Sequence, residues 1–181
     1  MLFRSPDIRL VEDPYTGETT YVVPPLNPDV TIVHAHRADR LGNVQMWGIT
    51  GTQQEAAYAA DRVIVLVEEL VDTDVIRADP NRTIIPAHAV DAVCAVPYGA
   101  HPSYVQGRYD RDNAFYREWT PISKDPIKLR AWIDEFIRGT ADHNEYLERI
   151  SMERITRLKM GSRPSGAVDY GRRVKHEESK Q

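Results

Sequence analysis

Two nearly continuous runs of apolar residues restrict the fold of this chain more than any other feature. They are DVTIVHA at 29–35 and RVIVLVEEL at 62–70, and both are rich in branched side chains. A strand with one face in water alternates apolar and polar residues, whereas a strand covered on both faces of a parallel sheet does not. The two runs therefore predict neighbouring strands of a buried parallel sheet and an α/β fold.

The segment between these runs predicts a strand, a turn and a helix. NVQMWG at 43–48 has the composition of a strand, GITG at 48–51 that of a tight turn, and TQQEAAYAAD at 52–61 that of a short helix. Thr52 is followed three residues later by Glu55, the spacing of a capping box. We expect a strand, turn, helix, strand unit whose strands are parallel neighbours joined by a right-handed crossover.

Later elements follow from similar patterns. An apolar segment near 89–96 predicts a third buried strand, in which Cys94 is a small buried hydrophobe. A helix is expected from Asp125, a capping residue, to Gly139, a residue that often ends helices. A last helix is expected over about 142–159.

Composition limits the function classes. The net charge of −4 argues against a nucleic-acid partner, and no apolar run approaches the ~18 residues of a membrane span. With no apolar signal-peptide core at the start, we expect a cytoplasmic protein. We predict one α/β domain over residues 1–160 and a flexible basic tail over 161–181, which carries five Lys or Arg against three acidic residues.

Three short groups of residues, two pairs and one turn, are candidate chemical sites. Glu68 and Glu69 end a predicted strand, but successive strand residues point to opposite faces, so at most one faces a cleft. His34 and His36 can share a face, but no third ligand is apparent and we expect no metal site. The turn GITG at 48–51 suits either an anion or an ordinary strand-to-helix connection.

A tyrosine-rich stretch, YGAHPSYVQGRYDRDNAFYREW at 98–119, holds four of the nine tyrosines. Long irregular segments in compact domains are usually functional or disordered, and so many aromatic rings disfavour disorder. Aromatic residues interleaved with arginine are typical of a protein interface. A lid over the protein's own core explains the composition equally well.

The order of several motifs resembles that of a known family. The motifs are NPDVTIVHAHRADRLGNVQMWG, AADRVIVLVEELVD, IPAHAVDAVCAVPYGAHPS and YDRDNAFYREW. Together they resemble the A subunits of family I CoA-transferases of the glutaconate CoA-transferase type. The resemblance implies a three-layer α/β/α fold of the NagB/RpiA/CoA-transferase-like group, incomplete at the N-terminus, because such subunits carry a long segment before DPYTG at 13–17. On this basis we expect the chain to be the C-terminal part of an A subunit.

The resemblance also implies a reaction and a partner. Family members transfer CoA between an acyl-CoA and a carboxylic acid through a glutamyl-CoA intermediate, with coenzyme A as a substrate and no permanently bound cofactor. The nucleophilic glutamate lies in a Ser-Glu-Asn-Gly segment of a B-type partner subunit, and this chain has no such segment. We therefore expect no catalytic residue in this chain. The candidate substrate or interface residues, expected near the subunit seam or the CoA-proximal cleft, are Glu69, Gly99, His101, Ser103 and Tyr104.

Three alternatives stay open. The stretch WGITGTQQEAAYAADR is somewhat nearer to a related branch that opens a cyclic ketone of a steroid-derived CoA thioester by hydrolysis. The interface-like composition of 98–119 also suits a non-catalytic assembly module. A sugar-phosphate isomerase of the same broad fold rests on fold analogy alone.

Overall fold

The computed structural model describes residues 7–159, so the predicted tail at 161–181 lies outside the described residues. The described part begins with an antiparallel hairpin of strands β1 (Arg9–Glu12) and β2 (Thr19–Val22). Its turn is closed by Asp13, whose side chain accepts hydrogen bonds from two backbone N–H groups. All eight strand residues are exposed, and the hairpin forms a sheet of its own.

The main sheet has five strands in the order β6-β4-β3-β5-β7. Their bounds are β3 (Val30–Asp39), β4 (Val44–Gln45), β5 (Arg62–Val71), β6 (Thr83–Ile85) and β7 (Ala92–Ala95). Strands β3, β5 and β7 are parallel, as predicted for the two apolar runs. This mixed sheet, flanked by helices, confirms the α/β class.

The strand predicted at 43–48 is wrong in length and direction. It is the two-residue strand β4, antiparallel to β3 and on the opposite side of β3 from β5. Only a tight turn separates β3 from β4, in which Asp39 accepts from the N–H groups of Leu41 and Asn43 and Gly42 has a φ of 98°. Such a turn can join antiparallel strands but is too short for a crossover.

One face of the sheet forms the main core. Side chains of β3 and β5 that point to this face are buried against helix α1 (Gln53–Ala59), which contributes Ala57. The buried strand residues on this face are Val33, Ala35, Val63, Val65 and Val67. The capping box predicted for α1 is wrong: Thr52 makes no side-chain cap, because its backbone (φ −102°, ψ 23°) lies outside the extended region of an N-cap.

The opposite face is covered only in part. Ile32 is 66% exposed there, so the prediction that both faces are buried holds for one face only within residues 7–159. The strand predicted near 89–96 is β7, and its residues are mostly exposed because β7 is the outermost strand of the sheet. Cys94 is consequently exposed, and its predicted burial is wrong.

Helices follow the sheet. Short helix α2 (Thr73–Arg77) and two 3-10 turns (Pro80–Arg82, Ala87–Ala89) link β5 to β7. The last part of the tyrosine-rich stretch, predicted to be irregular, belongs to helix α3 (Asn113–Ser123), which Asp112 caps. Helix α4 (Pro126–Ile133) continues as a π-helix (Asp134–Arg138). The predicted cap at Asp125 and the predicted end at Gly139 are both confirmed.

The last predicted helix is two helices. Helix α5 (His143–Ile150) ends at Ser151, and α6 (Met152–Leu158) begins there. Ser151 has a φ of 95°, a backbone conformation that cannot continue a helix, and its side chain caps α6. Residues of both helices form a second core with the aromatic residues of the preceding segments. No helix among residues 7–159 is long and apolar enough to cross a membrane.

Candidate functional site

A cleft of about 270 Å³ lies where the tyrosine-rich segment folds over the carboxyl ends of β3 and β5. Strand β3 supplies one wall, the turn after β4 a second, and residues 100–106 a third. The polar and aromatic lining residues include His34, His36, Trp47, Ser103, Tyr104 and Gln106. Ligand sites in open α/β sheets commonly lie at this edge.

Glu68 is the anchor of the site. Its side chain is only 6% exposed, and one oxygen lies 2.6 Å from Nε2 of His34 and 2.7 Å from the hydroxyl of Tyr109. The other oxygen accepts from the N–H of Tyr98 at 2.8 Å. Burial by itself raises the pKa of Glu68, but these hydrogen bonds outweigh burial and hold the pKa below its ordinary value. The carboxylate is ionised at neutral pH.

Tyr109 connects the tyrosine-rich stretch to the main sheet. Its ring is 1% exposed, and its hydroxyl donates to Glu68 while accepting from the N–H of Ala100 at 3.2 Å. Burial, followed by the charge of Glu68, raises the pKa of Tyr109 far above its ordinary value. The phenol therefore remains a proton donor at every physiological pH.

His36 and Trp47 form a stacked pair next to Glu68. Their ring centroids are 3.7 Å apart, and Nε2 of His36 lies 2.9 Å from the carbonyl of Gln106, to which it donates. Burial lowers the pKa of His36 to about 4, so the ring is neutral. The guanidinium of Arg82 lies 4.6 Å from the Trp47 ring centroid. The pair is a rigid, uncharged wall of the cleft.

Three buried polar atoms around the cleft have no hydrogen-bond partner among the described residues. They are Nδ1 of His34, Nδ1 of His36 and Nε1 of Trp47. Buried polar groups are nearly always satisfied in native proteins, so such a concentration is unusual. All three atoms belong to residues that line the cleft.

Two glycines permit the close packing of this region. A Cβ at Gly99 would lie 2.9 Å from Cε1 of His34 and 2.8 Å from the carbonyl oxygen of Val96. Gly48 has a φ of 86°, and a Cβ there would meet the side chain of Gln106. Any larger residue at Gly99 would displace the His34 ring from Glu68.

His101 lies behind the cleft. Its side chain is 1% exposed and is not part of the lining; Nε2 lies 3.1 Å from Asp112, and Nδ1 lies 3.4 Å from the hydroxyl of Tyr146. Burial lowers the pKa of His101, so the ring is neutral. Arg154 makes two hydrogen bonds to Asp112 and a third to Glu118.

Asp112 holds this group together. Burial raises its pKa, but the bonds from Arg154, Phe115 and His101 outweigh burial and lower the pKa to about 2. The same carboxylate caps α3 by accepting from the N–H of Phe115 at 2.8 Å. The ionised carboxylate of Asp112 thus holds the segment that precedes α3 against helix α6.

The predicted site residues lie in four places. Ser103 and Tyr104 line the cleft, Gly99 lies against His34, and His101 is buried behind. Glu69 points away from Glu68 and pairs with Arg108 at the surface, in agreement with the predicted opposite directions of the two side chains. Among residues 7–159, no group of three or more His, Cys, Asp or Glu is placed to hold a metal ion.

Sequence reasoning missed the importance of Tyr109, Asp112 and Arg154. Tyr109 and Asp112 lie in the tyrosine-rich stretch, but nothing in that stretch indicates which of its residues turn inward. Arg154 lies 42 residues from its partner Asp112, and no local pattern links them.

Comparisons with known proteins agree with the fold and the motifs. Residues 11–95 match the family described as Coenzyme A transferase. The chain is 51% identical over 147 residues to the A subunit of 3-oxoadipate CoA-transferase from Pseudomonas knackmussii, covering 81% of this chain and 51% of that protein. The chain is therefore similar to coenzyme A transferases over most of its length. The resemblance to family I A subunits inferred from the motifs is thereby confirmed.

Other relatives include the A subunit of glutaconate CoA-transferase from Acidaminococcus fermentans, 37% identical over 153 residues, with 84% of this chain and 48% of that protein covered. The crystal structure of glutaconate coenzyme A-transferase from this organism superimposes with a TM-score of 0.81 and 36% identity, covering 86% of this chain and 49% of that chain. The IpdA subunit of a cholesterol ring-cleaving hydrolase from Rhodococcus jostii is 28% identical over 148 residues, with 77% of this chain and 50% of that protein covered. The chain spans about half the length of the relatives it matches.

Proposed function

We propose that this chain is an A-type subunit, or part of one, of a CoA-transferase that moves CoA between an acyl-CoA and a carboxylic acid. The observation that carries the proposal is the 51% identity to the A subunit of a 3-oxoadipate CoA-transferase. Glutaconate and 3-oxoadipate, named in the two relatives, are dicarboxylic acids, so we take a dicarboxylate or its CoA thioester as the substrate class. The cytoplasmic location predicted from the sequence stays a prediction.

The nucleophile is proposed to come from a B-type partner. A glutamate that attacks a thioester needs an accessible carboxylate oxygen, and both oxygens of Glu68 are occupied by hydrogen bonds in a nearly buried position. Glu69 is more exposed, but it is paired with Arg108 outside the cleft. These arrangements support a non-nucleophilic role for both acidic residues.

The proposed reaction proceeds by exchange at the partner's glutamate. The carboxylate attacks the acyl-CoA to give an acyl-glutamyl anhydride and free CoA thiolate. The thiolate then attacks the glutamyl carbonyl, which releases the first carboxylic acid and leaves a glutamyl-CoA thioester. An acceptor carboxylate takes the CoA by the reverse of these two steps.

The cleft is proposed to form this chain's wall of the shared active site. Ser103 and Tyr104 offer hydroxyl groups at its surface, and Gly99 lets the His34 ring stay close to Glu68. His101 is proposed as a positioning residue that holds the segment in place from behind. Glu69 is proposed to lie near the subunit seam, where its pair with Arg108 is accessible.

The test uses the full chain co-expressed with the rest of an A-type polypeptide and with a B-type subunit containing Ser-Glu-Asn-Gly. We expect transfer of CoA from an acyl-CoA to added 3-oxoadipate or glutaconate, and borohydride trapping of a glutamyl-CoA on the B-type partner. A fully assembled complex that neither transfers CoA nor cleaves a thioester would overturn the proposal and leave the assembly module as the interpretation.

A hydrolase component is the second candidate, favoured by the 28% identity to the ring-cleaving IpdA subunit. The same complex distinguishes the two. Transfer gives a new acyl-CoA only when an acceptor carboxylate is present, whereas hydrolysis consumes a cyclic keto-acyl-CoA without an acceptor. The higher identity to the two transferase subunits is the reason we place transfer first.

A further inference from the structure

Arg37, near the carboxyl end of strand β3, has a side chain whose direction is fixed by a neighbour on β4. Arg37 and Gln45 lie opposite each other in the antiparallel β3–β4 pair, so their side chains point to the same side of the sheet. Nε of Arg37 donates a hydrogen bond to Oε1 of Gln45 at 2.8 Å. This bond fixes the direction in which the guanidinium points.

Gln45 is itself held in one orientation. The residue is fully buried, and its Nε2 donates to the carbonyl oxygens of Ile76 and Asp79, at 3.0 and 2.7 Å, and to Oγ1 of Thr83 at 3.2 Å. Carbonyl oxygens only accept hydrogen bonds, so the amide nitrogen must face them and the amide oxygen must face Arg37. A polar group buried at some cost therefore has the positioning of one guanidinium as its effect.

The positive charge of Arg37 has no acidic partner among residues 7–159. Its Nε–H makes one hydrogen bond, but neither terminal amino group makes a hydrogen bond or an ion pair with a described residue. Two other arginines near the candidate site are neutralised, because Arg82 pairs with Asp79 and Arg108 pairs with Glu69. Arg37 is half-buried, so its charge is only partly solvated by water.

The guanidinium of Arg37 lies one aromatic ring away from the cleft. Its central carbon is 5.7 Å from the ring centroid of Trp47, which lines the cleft and stacks on His36. Nε1 of Trp47 is a buried N–H donor without a partner in the described part of the chain. The groups that Arg37 and Trp47 leave unpaired are thus all donors, and donors of this kind bind acceptor oxygens.

We propose that Arg37 binds a carboxylate of the substrate and determines the specificity of the site for it. A guanidinium fork binds both oxygens of a carboxylate through parallel hydrogen bonds. The single uncompensated charge of Arg37 matches one carboxylate better than a phosphomonoester, which carries close to two charges. The bound group is the carboxylate of a dicarboxylic acid that does not exchange CoA. The inference rests on the proposed function only for the identity of this substrate.

Binding is tested on the full chain alone, with glutarate as the probe and sodium chloride at equal ionic strength as the control. The readout is the indole N–H signal of Trp47 in a nitrogen–proton NMR spectrum, assigned with Trp47→Phe. We expect a saturable shift that is lost in Arg37→Met and kept in Arg40→Met, which removes an exposed arginine just after β3. No saturable shift, or an equal shift in Arg37→Met, overturns the inference.

Specificity is tested in the co-expressed complex by comparing two acceptors of equal length, glutarate and pentanoate. In Arg37→Met, the ratio of kcat/KM for glutarate to that for pentanoate should fall about tenfold or more, mainly through a higher KM for glutarate, because charge-assisted hydrogen bonds are lost. Arg40→Met should leave the ratio unchanged. Equal losses with both acids would give Arg37 a structural role through Gln45 and would overturn the inference.

The phosphates of CoA are the other source of anionic oxygens in this reaction. If Arg37→Met raises the KM of the acyl-CoA donor and this effect disappears with the 3′-dephospho-CoA thioester, Arg37 binds a phosphate and the proposal is wrong. An unchanged KM of the donor, together with the lower acceptor ratio, supports the carboxylate.

A second variant covers the case in which Arg37→Met leaves Gln45 unpaired and lowers the amount of folded chain. Arg37→Gln keeps an N–H donor but removes the charge, so it should lose the glutarate-dependent NMR shift while staying folded; a retained shift in this variant would overturn the inference. The NMR assay contains no CoA and no B-type subunit. A chain that binds glutarate through Arg37, in a complex without transferase activity, supports this inference while counting against the proposed function.

Discussion

Glu68 on β5 and His34 on β3 lie 2.6 Å apart, Oε1 to Nε2, and so join the two central parallel strands. The ionised carboxylate of Glu68 accepts a hydrogen bond from Nε2–H of the imidazole. The hydrogen bond therefore determines the orientation of a residue in the cleft wall.

Glu68→Gln should destabilise the protein by about 2 kcal/mol, because hydrogen bonds to a buried charge are lost and an amide N–H replaces an acceptor. Since the native pKa of Glu68 is below the ordinary value of 4.5, its stabilisation is present above that value and is lost as the pH falls through the native pKa. Urea unfolding at several pH values should show a flatter acid limb for the variant. Glu69→Gln, at an exposed pair, is the control and should change stability by less than about 1 kcal/mol; equal effects of the two changes would contradict this account.

His36 should make stability fall on mild acidification. Its pKa is lowered to about 4 from 6.5, so the unfolded chain takes up a proton first, and stability decreases as the pH falls from about 6.5 toward 4. His36→Asn removes this loss, which we expect to be about 3 kcal/mol at the acid end. The thermal midpoint between pH 7 and pH 4 measures it, with the exposed His88→Asn as control. An unaltered pH profile in His36→Asn would refute the assignment.

Gly99→Ala should displace His34 from Glu68. The added methyl group would meet the backbone at Val96 and the imidazole ring at about 3 Å or less, and overpacking of this kind costs about 1 to 3 kcal/mol. Gly51→Ala is the control: its φ of 58° is unfavourable for alanine, but no atom lies within 4 Å of the new methyl group, so it has no steric contact to disturb. Two-dimensional NMR of the imidazole groups should show a shifted His34 signal only in Gly99→Ala. A His34 signal unaffected by Gly99→Ala would argue against the close contact.

Arg154→Met should cost about 3 kcal/mol or more, because Asp112 would stay buried without its cation. The native pKa of Asp112, about 2, should rise in the variant, so the loss should be largest at neutral pH and shrink in acid. Arg157→Met, on the same helix, removes an exposed pair with Glu153 and should change stability by about 0.5 kcal/mol at most. Chemical denaturation measures both, and similar losses in the two variants would contradict a special role for Arg154.

His101→Ala should lower stability by about 3 kcal/mol, because a fully buried ring that contacts Phe115 and binds Asp112 is removed. In the proposed CoA-transferase complex we also expect reduced turnover, since the segment that carries Ser103 loses its support. Tyr146→Phe, which removes only a hydroxyl at 3.4 Å, is the milder control. A His101→Ala variant with full stability but no turnover would indicate direct contact with substrate or partner instead of support.

The central strands and two helix ends were predictable because their signals are local. Apolar runs identified β3 and β5. Asp125 marked the start of α4, and Gly139 marked the end of the π-helix that continues it. Helix α3 was predictable in principle: Phe115, Trp119 and Ile122 have helical spacing after the capping residue Asp112. It was missed because the tyrosine-rich stretch was defined by composition and ended at residue 119.

Other features depended on contacts between distant parts of the chain. Cys94 is exposed because β7 is an edge strand, and the local sequence of β7 does not indicate its position in the sheet. Glu68 and His34 were each noted as candidates, but their pairing depends on the register between β3 and β5. The break at Ser151 replaces one long apolar stripe with two short helices, and no glycine or proline marks it.

The position of Tyr109 has a consequence for motion. Its backbone pairs with Val105 and with Lys159, and its hydroxyl bonds both Glu68 on the sheet and the N–H of Ala100. A segment attached in this way at several points opens together with its neighbours rather than residue by residue. Amide hydrogen exchange should therefore find the N–H groups of Ala100, Val105 and Tyr109 protected to a similar degree, as one cooperative unit with the end of β5, whereas the exposed β1–β2 hairpin exchanges independently and faster.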